Sequence, residues 1–264
     1  MSPDFYFALT LAVRMAMTAA FLIAATVTAE RAGPLIGGLV ATLPISAGPV
    51  YVFLAIDHGA HFIGEGALGS LVTNAFNIAF AVTYCLLAQK RSMIVSLAGA
   101  FVVWFLLSYL FGFVPLGLWG GIAINIVALV SGTALSASLR HVPFLRMRTY
   151  WYDYLLRAAM VALLLGVVVT LSYRIGPSAS GNLAVFPIVL TSLVLILHPR
   201  VGGPATAAVL SNAVIGLGGF AVAMLTLHLT ADALGSALAL TLTLAVSVGI
   251  NLLIFYVRRR AKPA

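Results

Sequence analysis

The sequence predicts an all-α polytopic membrane protein: nine transmembrane helices in an inverted repeat, N-terminus outside and C-terminus inside. Three observations carry this reading. First, the 264 residues are 62% hydrophobic and only 8% charged, against about 25% charged in a soluble domain. Second, residues 14–45 recur at 157–188 without a gap, with 12 of 32 positions identical. Third, basic residues crowd onto one side of the predicted topology. Several apolar stretches exceed the ~18 residues that mark a membrane span.

The predicted spans are 4–29, 33–56, 66–88, 93–112, 115–138, 150–173, 177–197, 204–228 and 233–257. The first follows Met-Ser-Pro-Asp, which lacks a basic n-region, and Arg14 interrupts it. It reads as a retained helix, not a cleaved signal peptide. The second opens at Gly33-Pro34, where proline at a helix start is cheap, and carries Pro44 at mid-span. The third holds Asn74, Asn77 and the single cysteine, Cys85. The fourth follows the Lys90-Arg91 loop, and the fifth carries Gly120-Gly121 and Asn125. The sixth opens on an interfacial belt, Tyr150-Trp151-Tyr152-Asp153-Tyr154. The seventh repeats the second, with Gly176-Pro177 at its start and Pro187 inside. The eighth holds Asn212, and the ninth runs to Asn251 and the Arg258-Arg259-Arg260 end.

With the Lys90-Arg91 loop in the cytoplasm, eleven basic residues collect inside and Arg174 alone outside. That is a strong positive-inside bias. It accounts for the +8 formal charge without nucleic acid. The first span then enters from outside and the sixth from inside, so the repeat is inverted. The domains expected are a first repeat at 1–112, a linker helix at 113–140 and a second repeat at 141–264. The matches include Arg14/Arg157, Met17/Met160, Gly38/Gly181 and Pro44-Ile45/Pro187-Ile188. A second block at a spacing of 138 pairs Thr73-Asn74-Ala75 with Ser211-Asn212-Ala213.

The candidate site residues follow from these matches. An arginine facing hydrocarbon is costly, so Arg14 and Arg157 should face a cavity, a protein interior or the interface. A guanidinium binds carboxylate or phosphate in a fork, which makes the pair candidate anion ligands. Pro44 and Pro187 delete a backbone hydrogen bond and free a carbonyl. That carbonyl must find protein or cavity water, and Thr42, Ser46, Thr191 and Ser192 stand near. Asn74, Asn212 and Asn77 can coordinate a cation, hold an anion or simply pack helices. The stretch holding Asp57, His58, His61 and Glu65 reads as a loop of nitrogen and oxygen ligands. Its spacing matches no strict metal motif, so no metal and no cofactor is assigned. Cys85 alone supports neither a disulfide framework nor a cysteine-rich metal site. No catalytic constellation is present, so the chain does not read as an enzyme.

The layout resembles the drug/metabolite transporter superfamily, whose members use inverted five-helix repeats; this chain has no tenth helix. Gly38 with Pro44, and Gly181 with Pro187, form a glycine–proline spacing that resembles the GlpM-like small bacterial membrane proteins, as though one were duplicated. The spacing is also similar to the sulfite exporter (TauE-like) family, without that family's triple-glycine and Thr-Ser hallmarks. These resemblances cover the second, third, seventh and eighth spans and imply a transporter fold. No site residue is carried over from them. The expectation is an inner-membrane secondary transporter, in a bacterial plasma membrane, for a small anionic solute. It would work by alternating access, with the lipid bilayer, its substrate and a second copy in a homodimer as partners. The alternatives are a translocase of a lipid-linked anionic group and a non-transporting scaffold in an envelope complex.

Overall fold

The structure is a computed structural model that describes residues 3–31, 47–114, 116–141 and 150–260. Among these the chain is helical throughout, with no strand. The elements are α1 (Pro3–Arg31), α2 (Ala47–His58), α3 (Ala60–Leu87), α4 (Met93–Gly112), α5 (Leu118–Leu135), a 3-10 turn (Ala137–His141), α6 (Trp151–Ala184) and α7 (Ile188–Arg260). Five described stretches are long and apolar enough to cross a membrane: Phe5–Thr28, Ala60–Leu87, Met93–Gly112, Leu118–Leu135 and Trp151–Ile254. The chain is an all-α membrane protein. The last stretch is too long for one crossing and is divided by Gly176, the gap between α6 and α7, Gly202 and Gly235.

Two expected loops are helical instead. The stretch around Asp57 to Glu65 is helix on both sides of one residue, Gly59. Gly59 has φ 84° and ψ −173°, and Gly202 has φ 79° and ψ 172°. That backbone region is essentially open to glycine alone, so a single glycine turns the chain where a loop was expected. His198-Pro199-Arg200, which falls between the predicted seventh and eighth spans, is likewise helical up to the Gly202 break. The third span therefore starts at Ala60, not 66. Gly59 and Gly202 stand at the spacing of the repeated sequence, the one that takes Arg14 to Arg157.

The sequence places a break at Pro187, and the structure has one. Helix α6 ends at Ala184 and α7 starts at Ile188, just after Pro187. Its counterpart at Pro44, with Thr42 and Ser46, lies outside the described residues. Pro177 follows Gly176 (φ 76°, ψ 178°) and opens the half-helix that ends at Ala184. The residue before a proline is pushed out of the helical region, and here that residue is a glycine that tolerates it.

Helix α3 is the centre of the fold, with Ala67, Leu71, Phe80 and Tyr84 buried in two clusters along its length. It packs antiparallel to the 203–234 segment of α7. Gly64 meets His228 near one end, Asn74 meets Leu217 in the middle, and Cys85 meets Ala207 near the other end. It also receives the half-helix before the break. A Cβ on Gly181 would overlap the Gly66 carbonyl, and one on Gly69 the Ser178 carbonyl. Small residues are what allow membrane helices to approach this closely.

Gly181→Ala should therefore lower stability by about 1–3 kcal/mol, the usual cost of overpacking. A Cβ on Gly48 meets nothing within 4 Å, so Gly48→Ala should be neutral or slightly stabilising. Thermal unfolding of both variants in detergent checks this; equal melting temperatures would refute the close approach.

Candidate functional site

The break between α6 and α7 frees carbonyls inside the apolar core, and α3 supplies the groups that satisfy them. Asn77 Nδ2 donates to the Val185 carbonyl at 2.8 Å, while its Oδ1 accepts from Trp104 Nε1 at 2.8 Å. Ser70 Oγ donates to the Gly181 carbonyl at 2.6 Å and accepts from the Tyr51 hydroxyl at 2.6 Å. Thr73 Oγ1 donates to Asn182 Oδ1 at 2.9 Å. Thr191 Oγ1 turns back to the Pro187 carbonyl at 2.7 Å. Phe186, in the break itself, is wrapped by Trp104 and Phe101, with ring centroids 5.1 and 5.7 Å away. Each buried carbonyl left without a donor would cost about 1–3 kcal/mol. Asn77 and Thr191 thus hold the break together, a structural duty that fills both of them.

Asn74 stands one turn away on α3 and joins a different network. Its Nδ2 donates to Asn125 Oδ1 at 2.8 Å and to the Leu217 carbonyl at 3.0 Å. Asn125 Nδ2 donates in turn to the Leu71 and Gly121 carbonyls. Asn212 is not part of this. It is exposed and donates to the Ala208 carbonyl of its own helix. The spacing of 138 pairs Asn74 with Asn212 in the sequence, but the two do not share a hydrogen-bond network. The residue facing Asn74 is Leu217, at a spacing of 143, which is also the spacing from Arg14 to Arg157.

The same spacing recurs in the flanking contacts. Cys85 Sγ donates to the Ala207 carbonyl at 3.2 Å, and His228 Nδ1 donates to the Gly64 carbonyl at 2.8 Å. Gly64 and Ala207 are repeat-equivalent by that spacing, and so are Cys85 and His228. Carrying each end of the first contact into the other repeat gives the second.

The arginines depart furthest from expectation. Arg14 forms a two-pronged ion pair with Asp57: Nη1 to Oδ2 at 2.5 Å and Nη2 to Oδ1 at 2.7 Å. Its guanidinium lies over the Phe53 ring, 5.3 Å from the centroid. It is a clamp between α1 and the end of α2, not an open anion site. The second half carries a counterpart: Arg200 bonds Asp153 with Nη1 to Oδ2 at 2.7 Å and Nη2 to Oδ1 at 2.5 Å, over the Tyr150 ring. Asp57 and Arg200 are repeat-equivalent positions. Arg157, the repeat partner of Arg14, lies one helical turn beyond Asp153. The two clamps share one equivalent position, Asp57 and Arg200, with the charge exchanged, while their partners on the first helix stand one turn apart in register. Sequence identity cannot see this, because the matched residues are opposite in sign. Asp57, Asp153 and Arg200 were thus missed as site residues. Arg157 itself is half-buried.

The Asp57–Glu65 cluster is dispersed rather than gathered. Asp57 takes Arg14, His58 Nε2 lies 2.8 Å from Ser172 Oγ, and His61 Nδ1 lies 3.2 Å from Asp232. Among the described residues no three metal-ligating side chains converge.

A cavity of about 470 Å³ lies between α1, α2 and α7. Thr18, Tyr51, Met224, Leu227 and Thr243 form its buried wall, and among the described residues no charged side chain lines it. Comparison of the chain with protein families, with curated proteins and with solved structures finds no match. The functional reading rests on these residues alone.

Arg14→Ala or Asp57→Ala should each cost about 3 kcal/mol, since either leaves a largely buried charge alone. The exchanged double variant, Arg14→Asp with Asp57→Arg, should recover much of that loss. The second half already places its acid, Asp153, on the first helix and its arginine, Arg200, before the hinge. Additive losses in such a cycle, followed by chemical unfolding, would mean the pair is not coupled.

Proposed function

We propose that this protein is a secondary transporter of the bacterial inner membrane, moving a small solute by alternating access between two inverted repeats. The repeats are residues 1–112 and 141–264, with α5 in the linker between them, nine spans in all, N-terminus outside. The observation that carries this reading is that helices beginning at the equivalent glycines Gly59 and Gly202 pack antiparallel, with the equivalent residues Asn74 and Leu217 in contact at mid-length. Two antiparallel helices exchanged by a two-fold axis have that axis perpendicular to both. If the helices span the membrane, the axis lies in the membrane plane, which is the geometry of inverted-topology repeats.

Three further features fit. A helix breaks at mid-span beside a polar network. Single-glycine hinges stand at Gly59 and Gly202. Two charge-exchanged clamps, Arg14–Asp57 and Asp153–Arg200, each tie the first helix of a repeat to the residues just before its hinge. By the positive-inside orientation the first clamp is external and the second internal, where they act as paired latches. In this scheme an anionic solute meets Arg157, the half-buried repeat partner of Arg14.

A second reading, the translocase of a lipid-linked anionic group, is favoured by one observation. The rim of the cavity is formed by the exposed apolar side chains Met17, Phe21, Val52 and Leu244. A scaffold has no use for such an opening.

Alternating access predicts anticorrelated exposure at Thr18 and Val161, which are repeat-equivalent and both buried. In a Cys85→Ser background, Asp57→Asn should make Thr18→Cys reactive to an impermeant maleimide from outside while Val161→Cys stays protected. Arg200→Gln should do the reverse from inside. Reactivity that rises at both positions together, or at neither, would count against two latched states.

A further inference from the structure

A histidine stands just before each of the glycines Gly59 and Gly202, and the two rings are used in opposite senses. Ahead of Gly202 it is His198, whose Nδ1 lies 2.6 Å from the Tyr84 hydroxyl of α3. Tyr84 is completely buried, and a tyrosine keeps its hydroxyl hydrogen at neutral pH. A buried hydroxyl hydrogen needs an acceptor, and Nδ1 supplies it. Neutral His198 therefore holds Tyr84 through a bare Nδ1 and carries its own hydrogen on Nε2. The other oxygen beside the Tyr84 hydroxyl is Thr206 Oγ1, which donates to the Gly202 carbonyl at 2.8 Å.

Ahead of Gly59 the histidine is His58, whose Nε2 lies 2.8 Å from Ser172 Oγ of α6. Ser172 gives its own hydrogen to the Val169 carbonyl at 2.8 Å, so its oxygen accepts from His58 Nε2–H. That nitrogen carries a hydrogen in the neutral and the charged ring alike. Proton uptake leaves this bond intact. At His198 it places a hydrogen on the very nitrogen that Tyr84 occupies.

The His198 ring also packs into the turn. A Cβ on Gly203 would stand 3.3 Å from His198 Cε1 and would overlap the Ala88 carbonyl at the end of α3. Ring, turn and helix end thus lie in one contact. The cations at this end of the molecule are Lys90 and Arg91 after α3, Arg140 on the 3-10 turn, Arg157 on α6 and Arg200 on α7. Among the described residues the only acid there is Asp153 of α6, and it is held by Arg200 between Tyr150 and Tyr152. The thiol of Cys85 on α3 is bonded to the Ala207 carbonyl. A charged His198 would meet cations and no free carboxylate, and an uncompensated charge in a packed site is costly. The ring is half-buried, so water reaches it, and histidine titrates close to physiological pH.

We infer that His198 is a proton switch on the inner hinge: when its ring takes up a proton, Tyr84 loses its acceptor and the Gly202–Gly203 turn is released from the end of α3. The Tyr84 hydrogen then turns to Thr206 Oγ1, the atom that holds the Gly202 carbonyl, so the change is delivered to the hinge. The inference deepens the alternating-access reading and rests on it for the side, cytoplasmic, from which the proton comes. The outer hinge has no such switch.

The test is a pulsed spin-label distance measurement on the full-length protein in lipid nanodiscs, in a Cys85→Ser background. The labels go on Lys90→Cys, just after α3, and Trp151→Cys, at the start of α6; both positions are exposed. The second label follows the segment before Gly202 through the Asp153–Arg200 clamp. Lowering the pH from about 7.5 to about 5.5, through the range of histidine, should raise a second, longer distance at least about threefold in population. His198→Asn, whose Oδ1 can accept from Tyr84 without titrating, should stay short at both values. Tyr84→Phe should show the long distance at both, and His58→Gln should respond as the wild type does. A wild type that does not change, or a response that survives in His198→Asn, would overturn the inference. A pH response with Val161→Cys protected throughout would keep the switch and count against alternating access. Val161→Cys exposed by Arg200→Gln, with no pH response at the hinge, would keep alternating access and overturn the switch.

Discussion

The crossing of α3 with the 203–234 segment of α7 is the constraint on which the rest of the structure depends. In hydrocarbon there is no hydrophobic drive between helices, so they associate through close packing and hydrogen bonds. Here both are supplied. Asn74 ties the centre of the crossing to Leu217 and to α5 through Asn125. Cys85 and His228 bond carbonyls of the facing helix at the two ends. The same helix α3 presents Gly66 and Gly69 to the half-helix before the break, so the centre of one crossing also sets the seat of the other. Moving α3 would disturb its packing on both the half-helix of α6 and the facing segment of α7.

The broken helix follows from that seat. A membrane tolerates an interrupted helix only where the freed backbone is satisfied by protein or cavity. Ser70 and Asn77 provide this on one face of α3, while Asn74 and Tyr84 serve other partners. In the proposed mechanism the glycine hinges and the ion-pair clamps bound the parts that move. Each clamp sits on the far side of its hinge from α3 or its counterpart, so opening one clamp need not disturb the central crossing. That separation is what a two-state mechanism with a rigid core requires.

Much of the fold was legible in the sequence, and the reasons are physical. Apolar length announces spans, and Pro187 announces a break because proline cannot continue the hydrogen-bond ladder. The repeat spacing was legible where glycine, proline and arginine recur, since those residues are chosen for backbone and charge. It was lost along α3, where packing accepts many apolar residues and the match drifted by way of Asn212. The site was less legible. Arg14 read as an anion ligand because its partner, Asp57, seemed to lie in a loop. Only the left-handed Gly59 turns that stretch into helix and carries the carboxylate back to α1. Asn77 showed its polarity but not its duty, because its partners Val185 and Trp104 are distant in sequence. The cavity has no signature in the sequence, because its lining comes from three helices far apart along the chain.

The central claim is that the two-fold axis lies in the membrane plane. Lys90 and Ala233 are repeat-equivalent, and both are exposed. Each would be replaced by cysteine in a Cys85→Ser background and treated with an impermeant maleimide in sealed vesicles of known sidedness. Opposite sidedness, with Lys90→Cys reacting from the cytoplasmic face and Ala233→Cys from the outer face, is the predicted result. Reaction of both from the same face would contradict the inverted repeat and the mechanism built on it.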